Sequence, residues 1–125
     1  MIRPSLALLL VALCAVLACA TTSASHWRNI PPKDHARTNP FSGQPEAVAA
    51  GALVYRGHCQ QCHQANARGD GHKRPSLRSE GIRSLSDGDL EWFLRQGDLH
   101  HGMPSWSSLP QAQRWQLVTF LRSIQ

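Results

Sequence analysis

The sequence has no apolar run of the about 20 residues that a bilayer core requires; its longest such run, 6–20, is 15 residues. No segment alternates apolar and polar residues over a useful length, so no strand pattern is present, and no internal repeat occurs. Charge is sparse and only mildly one-sided: 13 Lys plus Arg stand against 8 Asp plus Glu, for a net +5 with His neutral. A nucleic-acid binder usually concentrates its basic residues on one face or stripe, and this balance is weak for that role. With 42% hydrophobic residues the chain is too apolar for disorder. Methionine is nearly missing, with only Met1 and Met103. At about 100 to 200 residues per domain, 125 residues allow one domain with short appendages, which excludes a two-domain enzyme.

The 6–20 run follows a single basic residue, Arg3, and ends in small residues. Those three parts match a secretory signal peptide, so residues 1–20 are expected to direct export to the periplasm or another extracytoplasmic space. Two processing routes remain open. Ala18-Cys19-Ala20 suits ordinary cleavage, whereas Val16-Leu17-Ala18-Cys19 is similar to a bacterial lipobox, with Leu17 a poor fit. In the second route Cys19 is retained and diacylated, and two acyl chains give a stable membrane tether. Cys14 leaves with the leader on either route.

Residues 21–44 carry Pro31, Pro32 and Pro40 among small polar residues, without apolar periodicity, and are expected to form an extended linker or arm. Its large apolar groups, Trp27, Ile30 and Phe41, are expected on the surface. The domain is then 45–125, whose 81 residues are too few for a hydrophobic core to supply more than about 3 to 5 kcal/mol. Cys59 and Cys62 are too close in sequence to close a useful disulfide loop, so another staple is needed.

The pattern within 45–125 is all-α. Pro45 and Glu46 open a helix over 45–58, with Val48, Ala52 and Tyr55 along one side and Gly51 leaving a gap for close approach. Residues 64–82 are rich in Gly and Pro and are expected to be loop. Ser86 caps the next helix, with Asp87 and Asp89 in its first turn and Gly97 as its stop. Pro110 starts the last helix, with an apolar stripe of Trp115, Val118 and Leu121. The first and last helices are expected to pack through Gly51, Tyr55 and the C-terminal aromatic residues.

Cys59-Gln60-Gln61-Cys62-His63 has the spacing of c-type haem attachment. Two thiols three residues apart can each form a thioether with one porphyrin vinyl group, and the next residue, His63, then supplies an imidazole nitrogen to the iron. The competing use of Cys-x-x-Cys in zinc sites needs a second ligand pair at finger spacing, which the sequence lacks. Met103 lies in the loop Gly102-Met103-Pro104, 40 residues after His63, and becomes the only methionine once the leader is removed. It is the expected sixth ligand, since Met with His is a known haem pairing. His100 and His101 are its rivals. Leu77, Leu85, Trp92, Phe93 and Trp106 are candidates to line the ring. Arg68, Lys73, Arg74, Arg78 and Arg83 fall within sixteen residues and are expected to lie on a solvated loop, one or two of them pairing with haem propionates; the alternative is a cluster that steers an acidic redox partner.

Over nearly all of 45–125 the chain resembles the class I bacterial cytochromes c. The resemblance rests on Gly51 and Tyr55, on Cys59, Cys62 and His63, on Gly69-Asp70-Gly71, Pro75-Ser76-Leu77 and Gly102-Met103-Pro104, and on the last helix with Trp115. It implies a small all-α fold of three or more helices around one covalently bound haem, with His63 and Met103 as axial ligands. It also implies that the Pro75 carbonyl holds the Nδ1 proton of His63, fixing the ring and raising its basicity. Gln64 departs from the glycine common at that position, which puts the shape of the turn after the motif in doubt. The implied function is one-electron transfer between redox partners such as a dehydrogenase, a quinol-oxidising complex or a terminal oxidase, with no nucleic acid involved. The alternative is a haem enzyme or gas sensor in which Met103 dissociates.

Overall fold

The structure is a computed structural model that describes residues 29–125. The expected leader, with Cys14 and Cys19, and Trp27 lie outside the described residues. Along the described chain run α1 (Pro32–His35), α2 (Pro45–His58), α3 (Gln60–His63), α4 (Glu80–Arg83), α5 (Asp87–Gln96), a 3-10 turn (Leu99–His101) and α6 (Gln111–Ser123). Among the described residues no strand forms; one isolated antiparallel bridge joins Asp98 and Met103. The all-α expectation holds, and 64–82 is loop except for the short α4 at its end.

Local chemistry sets the helix ends. Pro45 occupies the first turn of α2, where its missing N–H costs nothing, and Glu46 stands beside the positive end of the helix dipole. At α5 the Ser86 hydroxyl accepts from the Asp89 amide at 3.1 Å, and the Asp89 carboxylate accepts from the Ser86 amide at 2.8 Å. This reciprocal pair satisfies two donors that the helix start leaves without partners. Gly97, at φ +70°, ends α5, and Pro110 precedes α6.

The main packing contact is between α2 and α6. The buried face of α2 is Ala47, Gly51 and Tyr55, one residue round from the expected stripe, with Val48 and Ala52 half-buried beside it. The reason is the proximity of α6. A Cβ at Gly51 would lie 2.0 Å from the Gln116 carbonyl oxygen and 2.8 Å from the Phe120 Cβ, so the contact line runs through the smallest residues. Tyr55 packs on Phe120 with ring centres 5.2 Å apart. A Gly51→Ala substitution must push two helix backbones apart, and is expected to cost about 3 kcal/mol, the upper end of ordinary overpacking. A fall in the urea midpoint of the holoprotein checks this.

The described part of 21–44 is not an extended arm. α1 packs on α5, Asp34 and Asn39 are buried, and Phe41 and Ile30 are half-buried. Asn39 donates to the Trp115 carbonyl at 3.3 Å and to Thr119 Oγ1 at 3.0 Å, and Phe41 packs against the core. The segment docks through polar and charged side chains whose partners lie far along the chain. Apolar periodicity could not register it. The folded unit therefore begins before Pro45.

Candidate cofactor site

The last turn of α2 delivers Cys59, whose amide bonds to the Tyr55 carbonyl at 2.8 Å. The single turn of α3 then places Cys62 and His63, with the His63 amide on the Cys59 carbonyl at 2.9 Å. Gln64 leaves that turn at φ 68°, ψ 162°, a region that only glycine occupies freely. The turn thus has the glycine-type shape despite the substitution, and the buried Tyr55 hydroxyl holds it by donating to the Gln64 carbonyl at 2.6 Å. Burial pushes the Tyr55 phenol up to about 12, which keeps that donor proton in place. Such strain costs about 1 to 3 kcal/mol. Gln64→Gly is expected to stabilise the holoprotein by about 1 kcal/mol after glycine's extra unfolded-state entropy is deducted, raising its thermal midpoint by several degrees.

The loop after Gln64 curls under His63. Asp70 Oδ1 accepts from the amides of His72 and Arg74, both at 2.9 Å, and these bonds hold its carboxyl below the usual range. The curl brings the Pro75 carbonyl to 3.1 Å from His63 Nδ1. A carbonyl only accepts, so Nδ1 carries the proton and Nε2 keeps its lone pair. Burial lowers the pKa of His63, against the opposing effect of the Pro75 bond, so the imidazole is neutral at pH 7. A buried neutral imidazole with one nitrogen fixed is a metal ligand in waiting. The Cys59 thiol, buried beside Cys62, is pushed up to about 12 and stays protonated.

Met103 is presented by the loop after α5, just past the 3-10 turn. The Asp98 amide bonds to the Met103 carbonyl and the Met103 amide to the Asp98 carbonyl, both at 2.8 Å. Behind it Ser105 Oγ donates to the Arg95 carbonyl at 2.7 Å, and the Trp106 amide to the Leu94 carbonyl at 2.8 Å. The side chain is half-buried against the core. His100 and His101 are exposed, their rings edge-on at 4.9 Å, and His101 Nδ1 lies 2.6 Å from Asp98 Oδ2.

Cys59, Cys62, His63, Pro75 and Met103 all line one cavity of about 330 Å³. Its walls are mainly apolar: Leu77, Ile82, Leu90, Phe93, Leu94, Trp106, Leu117 and Leu121. Three of the five expected ring-lining residues, Leu77, Phe93 and Trp106, therefore face it. Leu85 packs in the core without lining it, and Trp92 is half-buried elsewhere. Sequence reasoning missed Ile82, which sits on the short α4 inside a stretch too rich in Gly and Ser to show periodicity. At the mouth stand His72, Lys73, Arg74 and His101, and His58 packs on Trp106 with ring centres 5.1 Å apart. Arg68, Arg78 and Arg83 do not line it; Arg83 pairs with Glu80 at 3.0 Å. Of the basic cluster, only Lys73 and Arg74 reach the cavity. Among the described residues no group of three or more His, Cys, Asp or Glu side chains is placed to hold a metal ion, so the zinc alternative finds no further ligands. No helix among the described residues is long and apolar enough to cross a membrane.

An apolar slot with two thiols, a neutral imidazole and a thioether on its walls fits a c-type haem and little else. Residues 46–121, more than half of the chain, match the family described as cytochrome c oxidase, cbb3-type, subunit III. The chain belongs to this cytochrome c family. Membership brings haem c as cofactor, haem-based electron transfer as role and redox proteins as partners. No curated protein matches the chain.

Proposed function

We propose that the chain is an exported one-electron carrier, binding one haem through thioethers from Cys59 and Cys62 and ligating its iron with His63 and Met103. The observation that carries this reading is that all four side chains line the same apolar cavity, Cys59, Cys62 and His63 from the end of α2 and from α3, and Met103 from the loop after α5. When bound, haem supplies an iron that alternates between Fe(II) and Fe(III). The protein's own residues set the conditions. Pro75 fixes the His63 ring and its tautomer. The paired backbone bonds between Asp98 and Met103 hold the thioether at the wall. The apolar walls exclude water and favour the less charged Fe(II) state, as does a thioether ligand.

With His63 and Met103 both holding the iron, no coordination site would be left for a substrate, which favours a carrier over an enzyme or gas sensor. Of the rivals to Met103, His100 does not line the cavity and His101 is engaged by Asp98. Lys73 and Arg74 at the mouth suit an acidic docking face on the partner. A dehydrogenase, a quinol-oxidising complex and a terminal oxidase all have the right chemistry, and the oxidase named in the family description supports the last. Residues 1–20 support export, and Cys19 gives two outcomes: a lipid-tethered chain beginning at Cys19, or a chain beginning after Ala20. The mass of the mature N-terminus separates them.

The test is a visible spectrum of the exported protein in both redox states, with carbon monoxide added to the reduced form. The expected result is a low-spin c-type spectrum that carbon monoxide leaves unchanged. A rapid Soret shift contradicts the carrier reading and supports the sensor or enzyme.

A further inference from the structure

Helix α5 has two working faces. Leu90, Phe93 and Leu94 line the cavity, while Gly88, Glu91 and Arg95 meet the segment 32–39, which lies outside the family match. The second face is unusually tight and polar. A Cβ at Gly88 would lie 2.0 Å from the Asp34 carbonyl oxygen, so the two backbones touch. Asp34 Oδ1 accepts from Arg95 Nη2 at 2.5 Å. Glu91, with no exposed surface, accepts from Arg37 at 2.5 Å and from Arg114 Nε at 2.8 Å.

Of these three arginines, Arg95 and Arg114 reach the loop that presents Met103. The Arg95 carbonyl takes the Ser105 hydroxyl at 2.7 Å, and Arg114 donates through Nη1 to the carbonyls of Ser107 and Leu109. Two chains of contact therefore run from the N-terminal segment to the loop: Asp34 to Arg95 to Ser105, and Arg37 to Glu91 to Arg114 to Ser107 and Leu109. We infer that segment 32–39 is a positioning element for Met103, with Asp34 and Arg95 fixing the end of α5 from which the Met103 loop hangs.

This rests on Met103 being the sixth ligand. Its physical content is that freeing Arg95 from Asp34 loosens the last turn of α5, and with it the Asp98 to Met103 bridge. Arg95, its side chain 31% exposed, then keeps only its longer contact to Glu91 at 3.5 Å and no longer pins that turn to the N-terminal segment. The consequence is a weaker hold on the iron by the thioether, and so easier displacement by an outside ligand.

The experiment uses the holoprotein and imidazole as the competing ligand, followed by the near-infrared band of Met-ligated ferric haem. Asp34→Asn is expected to retain the band and raise imidazole affinity about tenfold, equivalent to about 1.4 kcal/mol. Ser105→Ala, at an exposed hydroxyl, is expected to act in the same direction, and the double variant to show less than the product of the two effects because both lie on one path. Amide exchange at Asp98 and Met103 should quicken in step. Asn39→Ala, which cuts the segment's bond to α6 instead, should lower stability while leaving imidazole affinity within twofold. If Asp34→Asn does not fold, Asp34→Glu displaces the carboxylate and carries the same expectation. Unchanged imidazole affinity in the Asp34 variant, full additivity with Ser105→Ala, or an equal rise in Asn39→Ala overturns the inference. A wild-type protein without the near-infrared band overturns the ligand assignment itself, which is a different failure.

Discussion

A Cys59→Ser, Cys62→Ser chain, expressed without haem attachment, is expected to lose most of its far-ultraviolet helical signal. The cavity explains the size of the effect. Cavity formation costs about 24 cal/mol per Å³. For the about 330 Å³ lined by Phe93, Leu94, Met103, Leu117 and their neighbours, that gives an upper bound of about 8 kcal/mol. A small core supplies about 3 to 5 kcal/mol, so even half of that cost removes the margin. Part of the core, α2 against α6 through Gly51 and Tyr55, does not face the cavity alone, and residual helix is expected there. A native-like circular dichroism spectrum with a sharp thermal transition would show that the protein does not depend on its cofactor for folding.

The second large effect is expected from Met103→Ala. The near-infrared band of the ferric protein should vanish, the reduced protein should bind carbon monoxide to saturation, and the reduction potential should fall as the ligand that favours Fe(II) is lost. The fold should survive, because Met103 is half-buried and its loop is held by backbone bonds that the substitution leaves intact. Persistence of the near-infrared band would be incompatible with Met103 as its source. A band lost without carbon monoxide binding would point to capture of the position by a nearby imidazole, and His101, two residues away, is the candidate if it leaves Asp98.

The three long helices were legible because their ends carry local chemistry. Pro45 with Glu46, Ser86 with Asp89, and Gly97 act on their immediate neighbours, and the structure places helix boundaries where those residues stand. The candidate site's side chains were also legible as residues that meet at one cavity, since Cys59, Cys62 and His63 stand together in the sequence and Met103 is the only methionine among the described residues. The stripe on α2 was misread by one position. Periodicity favours Val48 over Ala47 on hydrophobicity, whereas the close approach at Gly51 selects for small size.

The docking of 32–44 left almost no trace in the sequence. Its anchors, Asp34, Arg37 and Asn39, are polar, and their partners Arg95, Glu91 and Thr119 are 54 to 80 residues away. The one hint was Glu91 beside Leu90 and Leu94 in α5: a carboxylate next to apolar stripe positions needs cations, and Arg95 one turn on stands only at 3.5 Å, while Arg37 and Arg114 complete the set. Gln64 likewise could be noted as a departure, but only the backbone shows that the turn keeps its strained shape and that Tyr55 holds it.

The most direct measurement is the mass of the intact purified chain after denaturation and extraction with acidified organic solvent. The expected result is a polypeptide heavier by one haem, with the colour remaining in the protein fraction, and a chain with both Cys59 and Cys62 replaced by serine that has lost both. Pigment that passes into the solvent, or a mass equal to that of the bare polypeptide, would contradict covalent attachment at Cys59 and Cys62 and the carrier built on it.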